Sequence, residues 1–268
     1  MTMQPASLRA LTPSFADLGA SHPVIRALQR RGIDEPFPIQ SLVLPDAIAG
    51  RDVLAKSRTG SGKTLAFAVP IVERLRPSDR APSALILVPT RELAVQVAGE
   101  FEEVARARNL NVAVAYGGVS IREQSGRVGR AHILVATPGR LDDLARRKLI
   151  ALDRIRILVL DEADRMLDMG FQPQVDAIVR RLPKERQTMF FSATLDGSVG
   201  LLARAYTNGP AHHEVASPRQ TVDEVEHRFV PVRPEAKVEA LAAMLREHQE
   251  PTLVFVRTRR GVSRLVTR

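Results

Sequence analysis

Cysteine and tryptophan are both missing from the 268 residues, and lysine is scarce, with only Lys56, Lys63, Lys148, Lys184 and Lys237 among 39 basic residues. Without cysteine there are no disulfides, thiolate metal sites or cysteine nucleophiles, and the cytoplasm is the expected compartment. No apolar run of about 18 residues occurs, so no membrane-spanning helix is expected. Met1 to Arg9 has neither the basic start nor the apolar segment of a secretory signal. Nine phenylalanines and two tyrosines argue against an extended platform for stacking bases.

Arginine is what the chain has in excess. The other 34 basic residues are arginine, and the formal net charge is +9. Guanidinium forks suit phosphate oxygens, which favours a polyanionic partner; genome composition or heat adaptation would give the same bias. Composition alone leaves both open. An apolar fraction of 44% suffices for a sizeable core.

Short apolar runs bounded by turn residues predict buried strands at Asp52 to Ala55, Ala84 to Val88, Val112 to Ala115, His132 to Val135, Ile155 to Leu160 and Thr188 to Phe191. Helical spacing is found between them, at Lys63 to Leu75, Arg91 to Ala107, Arg140 to Arg147 and Gln172 to Leu182. The alternation predicts an α/β fold, a parallel sheet sandwiched by helices, with ligands beyond the carboxyl ends of the strands. Residues 1–20 read as an N-terminal extension, 21–216 as the main domain and the polar stretch 217–225 as a linker. Residues 226–268 read as the beginning of a second domain, with strands at Glu226 to Val232 and Thr252 to Val256 and helices at Glu235 to His248 and from Arg259.

Ser57-Arg58-Thr59-Gly60-Ser61-Gly62-Lys63-Thr64 follows a predicted strand and opens a predicted helix, the context of a phosphate-binding loop. Gly60 and Gly62 can adopt dihedrals closed to other residues, so that backbone N–H groups face a phosphate at a helix N-terminus. Lys63 is expected to reach the β- and γ-phosphates and the Thr64 hydroxyl to ligate Mg²⁺. Ser57 stands where glycine or alanine is usual, and its small side chain should preserve the loop.

The run Ile157-Leu158-Val159-Leu160 leads straight into Asp161-Glu162-Ala163-Asp164. Carboxylates at a strand end can hold Mg²⁺ (Asp161) and polarise an attacking water (Glu162), or can simply begin the next helix, whose dipole favours them. The phosphate loop upstream tips the balance to catalysis.

Further motifs follow in order at strand ends: Pro89-Thr90-Arg91-Glu92-Leu93-Ala94, Gly117-Gly118, Thr137-Pro138-Gly139-Arg140 and Ser192-Ala193-Thr194. Upstream, Gly32-Ile33-Asp34-Glu35-Pro36-Phe37-Pro38-Ile39-Gln40 is similar to an adenine-recognition motif, with Phe15 as its separate aromatic. Together these resemble the DEAD-box RNA helicases, whose first motor domain is a RecA-like P-loop NTPase fold. The resemblance implies ATP and Mg²⁺ as cofactors, with Phe15, Pro36 and Gln40 at the adenine and Ser57 to Thr64 at the phosphates. It also implies Lys63, Asp161, Glu162 and Asp164 as the hydrolytic set, Ser192 and Thr194 hydrogen-bonding to Asp164. Pro89, Thr90, Arg91, Gly118, Thr137, Pro138 and Arg140 are implied to grip the sugar-phosphate backbone of single-stranded RNA without reading sequence.

Thr252-Leu253-Val254-Phe255-Val256-Arg257-Thr258 resembles the first motif of the family's second, also RecA-like domain, and the later motifs, including the one supplying arginine fingers, are not found. The chain is therefore expected to be part of a longer helicase, binding nucleotide but poor at hydrolysis, with protein partners engaged through C-terminal regions it does not contain. Two competing functions stay open: a DNA-directed or other phosphate-loop translocase, and a non-catalytic nucleotide- and RNA-binding module. The adjacent His212 and His213 are read as surface and packing residues of a strand, not metal ligands.

Overall fold

The computed structural model describes residues 13–58, 60–215, 226, 228–247 and 250–267. They fall in two compact units, Met1–Ala216 and Ser217–Arg268. The expected linker 217–225 and Thr59 lie outside the described residues.

In the first unit, α1 (His22–Arg30) and α2 (Pro38–Ile48) precede β1 (Val53–Lys56) and α3 (Lys63–Arg74). Then β2 (Ala84–Leu87) leads to α4 (Arg91–Arg106), β3 (Val112–Ala115) to α5 (Ile121–Val128) and β4 (Ile133–Ala136) to α6 (Pro138–Arg146). β5 (Ile157–Asp161) is followed by α7 (Ala163–Asp168) and α8 (Gln172–Val179), β6 (Gln187–Ser192) by α9 (Gly197–Tyr206), and β7 (Ala211–Glu214) comes last. All six strand pairings are parallel, in the order β3-β4-β2-β5-β6-β1-β7. This is the RecA-like α/β fold. Every strand therefore ends at one edge, and β6 separates β1, which feeds the phosphate loop, from β5, which carries the acids.

Period-two alternation builds the core. Ile86, Val135, Val159 and Phe191 enter a cluster with residues of α1 to α4, whereas Leu85, Leu134, Leu158 and Phe190 face α5 to α9. In α4 the buried positions Ala94, Val97, Phe101, Val104 and Ala105 follow helical spacing. Phe67 of α3 is the keystone of its layer, edge-on to Phe191 at 5.1 Å and tilted against Phe101 at 6.0 Å between centroids.

The differences from expectation have local causes. The helix expected at Arg140 starts two residues earlier because Pro138 suits the first helical position and Thr137 precedes it as cap. The strand expected to end at Leu160 runs on through Asp161, which pairs with Phe191. In the second unit α10 (Lys237–Glu247), preceded by a 3₁₀ turn at Pro234–Ala236, and α11 (Arg259–Val266) form as helices. The strands expected at Glu226 to Val232 and Thr252 to Val256 do not form among the described residues. Alternation alone makes no ladder; with Phe229, Leu253 and Phe255 almost fully exposed, no packed layer stabilises one. No helix among the described residues is long and apolar enough to cross a membrane.

Candidate nucleotide and nucleic-acid site

Beyond β1 the chain enters the glycine-rich loop. Gly60 and Gly62 both have φ of +84°, in the left-handed region, and Gly62 is the N-cap of α3. A Cβ on Gly62 would overlap the Phe37 ring and come within 2.6 Å of Gln40 Nε2, so the position is closed to side chains twice over. Ser57 is buried; its N–H donates to the Ser192 carbonyl at 3.0 Å, anchoring the loop to β6. Ser61 Oγ donates to the Arg58 carbonyl at 2.8 Å and lies 3.1 Å from Ser57 Oγ, closing the loop on itself. Lys63 opens α3, where the helix dipole favours an anion.

Asp161 closes β5 and is 3% exposed, its Oδ1 3.9 Å from Lys63 Nζ. Burial pushes its carboxyl up to about 6; the Lys63 ammonium pulls the other way. The same oxygen accepts the Glu162 N–H at 3.0 Å. Glu162 is held at φ +50°, a conformation costing a non-glycine residue about 1–2 kcal/mol. Strain of this kind is a recurrent feature of functional sites. Glu162 Oε2 pairs with Arg165 Nη1 at 3.1 Å. Asp164 Oδ2 accepts from Ala193 N at 3.1 Å, Thr194 N at 3.2 Å and Thr194 Oγ1 at 3.5 Å, while Ser192 Oγ accepts the Asp164 N–H at 3.3 Å. The carboxylate after β5 is thus tied to the turn after β6.

A cleft of about 590 Å³ runs past Gly60, Gly62, Lys63, Thr64, Asp161 and Glu162 to Phe37 and Gln40. Gln40 is fully buried: Oε1 accepts the Phe37 N–H and Nε2 donates to the Gly62 carbonyl, both at 2.9 Å. It therefore braces the phosphate loop against the start of α2. Pro36 is buried and does not line the cleft. Phe15 departs from its expected place. Its ring is 2% exposed in the core with α1 to α4 and offers no face to a ligand. The aromatic that does line the cleft is Phe37, 56% exposed. Sequence reasoning passed over it, although an aromatic between two prolines at a helix start was a signal.

The residues expected to grip nucleic acid follow β2, β3 and β4, the three strands at the other side of the same edge. Thr90 caps α4 through a bond from Leu93 N at 3.2 Å. The Arg91 guanidinium lies 5.0 Å from the Tyr116 ring centroid, within cation–π range. Gly118 is exposed at φ +86°. Arg140 donates to Gln124 Oε1 at 2.6 Å and to the Val119 carbonyl at 2.9 Å, joining α6 to α5. Pro89, Thr137 and Pro138 are buried, so they shape the loops, and Arg91, Gly118 and the half-buried Thr90 and Arg140 supply the accessible groups. Tyr116 and Gln124, which orient the two guanidiniums, carried no pattern in the sequence. His213 Nε2 is 2.8 Å from Asp46 Oδ2, a packing tie between β7 and α2.

The DEAD/DEAH box helicase family model matches residues 37–201. The chain is 40% identical over 253 residues to the ATP-dependent RNA helicase DbpA of Bacillus subtilis, covering 94% of this chain and 53% of that protein. It is 38% identical over 253 residues to the DEAD-box ATP-dependent RNA helicase CshA of Streptococcus pneumoniae, covering 94% and 48%. It therefore spans about half the length of these curated relatives. The crystal structure of a DEAD box protein from the hyperthermophile Methanococcus jannaschii superposes with a TM-score of 0.74 at 34% identity, over 95% of this chain and 69% of that one. With the phosphate loop, the acidic strand end and the Ser-Ala-Thr turn gathered on one sheet edge, the chain belongs to the DEAD/DEAH box helicase family.

Proposed function

We propose that this chain is the nucleotide-binding motor portion of an ATP-dependent RNA helicase, coupling ATP hydrolysis to local remodelling of RNA. The observation that carries the reading is the pairing of Lys63 with Asp161 in one cleft, with Asp164 in the turn of helix that follows Asp161 bonded to Ser192, Ala193 and Thr194. A nucleotide polyphosphate fits these residues. Gly60 and Gly62 have the dihedrals of an amide cradle, and Lys63 supplies a cation at a helix N-terminus. Thr64 and Asp161 offer oxygen ligands for Mg²⁺, which when bound would neutralise phosphate charge during transfer. Glu162 is the candidate to orient and deprotonate a water, and Arg165 holds its carboxylate until then.

Beyond its bonds to Phe37 and Gly62, the Gln40 amide keeps a second Oε1 lone pair and a second Nε2–H at the cleft wall, an acceptor and a donor that would favour adenine over guanine. RNA would meet Arg91, Gly118 and Arg140 through its phosphates, so binding should weaken steeply with salt. That the relatives are named as RNA helicases supports RNA over DNA. The test is equilibrium binding of a fluorescent ADP analogue with Mg²⁺, competed by unlabelled ADP and GDP. Competition by ADP alone, with the preference reduced in Gln40→Ala, is expected. Equal competition by GDP would remove the adenine assignment, and no binding at all would remove the nucleotide site.

A further inference from the structure

The sheet ends at β3 on one side and at β7 on the other, and the two edges are built differently. β7 reads Ala-His-His-Glu, with Glu214 paired to Lys56 at 2.9 Å and His213 to Asp46 at 2.8 Å. Ionisable side chains of this kind blunt an edge against further pairing. β3 reads Val-Ala-Val-Ala, without charge or proline, and its register against β4 has no bulge. Its backbone is open on the other side. The Asn111 and Ala115 carbonyls accept from Ile133 N and Thr137 N at 3.1 and 2.9 Å, so by the alternation of a parallel ladder Val112 and Val114 turn their N–H and C=O groups outward. Those outward groups have no hydrogen-bond partner among the described residues.

A groove frames this edge. An open volume of about 680 Å³ follows β3 between α4, on one face of the sheet, and α5, on the other. Val112 and Val114 face the α4 layer and Ala113 the α5 layer. The α4 wall presents Ala98 and the exposed Glu102; the α5 wall presents Gly126, Arg127 and, just past the helix, Arg130. A Cβ on Gly126 would meet nothing within 4 Å, so this wall leaves room. The side chains of Glu102, Arg127 and Arg130 have no hydrogen-bond or ion-pair partner among the described residues. Glu123 lines the same groove toward the Tyr116 end, because α5 runs back along β3.

The charges say what fits. A strand added beside β3 sends alternate side chains toward α4 and α5, so it meets a carboxylate on one face and two guanidiniums on the other. A nucleic acid would bring phosphates to Glu102 and Glu123 and offers no strand ladder. A second copy fits no better: two β3 edges related by a two-fold axis pair antiparallel, which sets α4 beside α4 and α5 beside α5, like charge against like.

We propose that the β3 edge docks an extended segment of a partner protein, which adds as a further strand with basic side chains toward Glu102 and acidic ones toward Arg127 and Arg130. Main-chain hydrogen bonds to Val112 and Val114 supply affinity, and the oppositely charged walls supply selectivity.

The experiment is an NMR titration of the ¹⁵N-labelled whole chain with a short synthetic peptide of valine and threonine carrying lysines at odd positions and glutamates at even ones. The control peptide has the same composition with every charge at odd positions, so that both signs share one face. At about ten times its Kd the first peptide should slow exchange of the Val112 and Val114 amides about ten-fold and leave the outward amides of the β7 edge, His212 and Glu214, within about two-fold. It should bind about five-fold tighter than the control, a preference that Glu102→Lys removes. Val112→Pro deletes one outward donor, keeps the bonds to β4 and should weaken both peptides by about three- to ten-fold. If that variant fails to fold, Glu102→Lys, on an exposed helix face, decides. Equal affinity for the two peptides, or no protection of Val112 and Val114, would overturn the proposal. Protection of the same amides by a single-stranded oligonucleotide in place of the peptide, or by raising the protein concentration alone, would overturn it in favour of nucleic acid or of a second copy. Each of these failures leaves the nucleotide cleft as it stands, since none of the groove residues lines it.

Discussion

Replacing Asp164 by asparagine tests the link between the acidic strand end and the Ser-Ala-Thr turn. Oδ2 receives the N–H groups of Ala193 and Thr194 at 3.1 and 3.2 Å, and Oδ1 receives the Arg165 N–H at 2.9 Å. Asparagine keeps one acceptor oxygen. Whichever way its amide turns, an NH₂ then faces a backbone donor, either at Arg165 or at the turn. Bonds to a charged acceptor contribute about 1.5–3 kcal/mol and neutral ones about 0.5–1.5, so the site, half-open to water, should lose about 1–2 kcal/mol. The loss is local, because Ala193 and Thr194 are exposed turn residues. Hydrogen exchange by NMR should therefore show the Ala193 and Thr194 amides opening roughly 5–30-fold more often in Asp164→Asn. Exchange of amides in β5 and β6 should change far less. If the two turn amides exchange at the wild-type rate in both Asp164→Asn and Asp164→Ala, the carboxylate does not hold the turn and the argument fails.

Gly62→Ala should cost roughly 1–2 kcal/mol for the left-handed backbone, with a further penalty from overlap with Phe37 and Gln40, and should abolish nucleotide binding. Urea denaturation paired with ADP titration checks it, and a stable variant with normal affinity would show that the ring yields freely. Phe67→Ala removes the ring shared by α3, α4 and β6 and should destabilise by about 3–5 kcal/mol in the same denaturation experiment. A loss under about 1 kcal/mol would mean the cavity collapses without strain. Gln40→Ala leaves the Phe37 N–H and Gly62 carbonyl without their partner, so a loss of about 1–3 kcal/mol should accompany the reduced preference for ADP over GDP.

Much of this chain was written locally. Four- to six-residue apolar runs alternating with helical spacing specify a parallel sheet, because a strand buried on both faces needs no polar position. The glycines at 60 and 62 announce a loop because only they tolerate φ of +84° without strain. The motifs at strand ends carried the family resemblance, since each is a contiguous string whose chemistry depends on near neighbours. What lay beyond reach depends on contacts distant in the chain. That β6 inserts between β1 and β5, and that Lys63 meets Asp161 nearly a hundred residues away, follows from strand order, which alternation does not encode. Phe15 and Phe37 are chemically the same residue; only the packing of α1 to α4 around one and the open cleft beside the other separate a core anchor from a ring on a cleft wall. The runs at 226–232 and 252–256 carry the alternation of strands and form none among the described residues, because a ladder is a property of two segments and sequence pattern describes one.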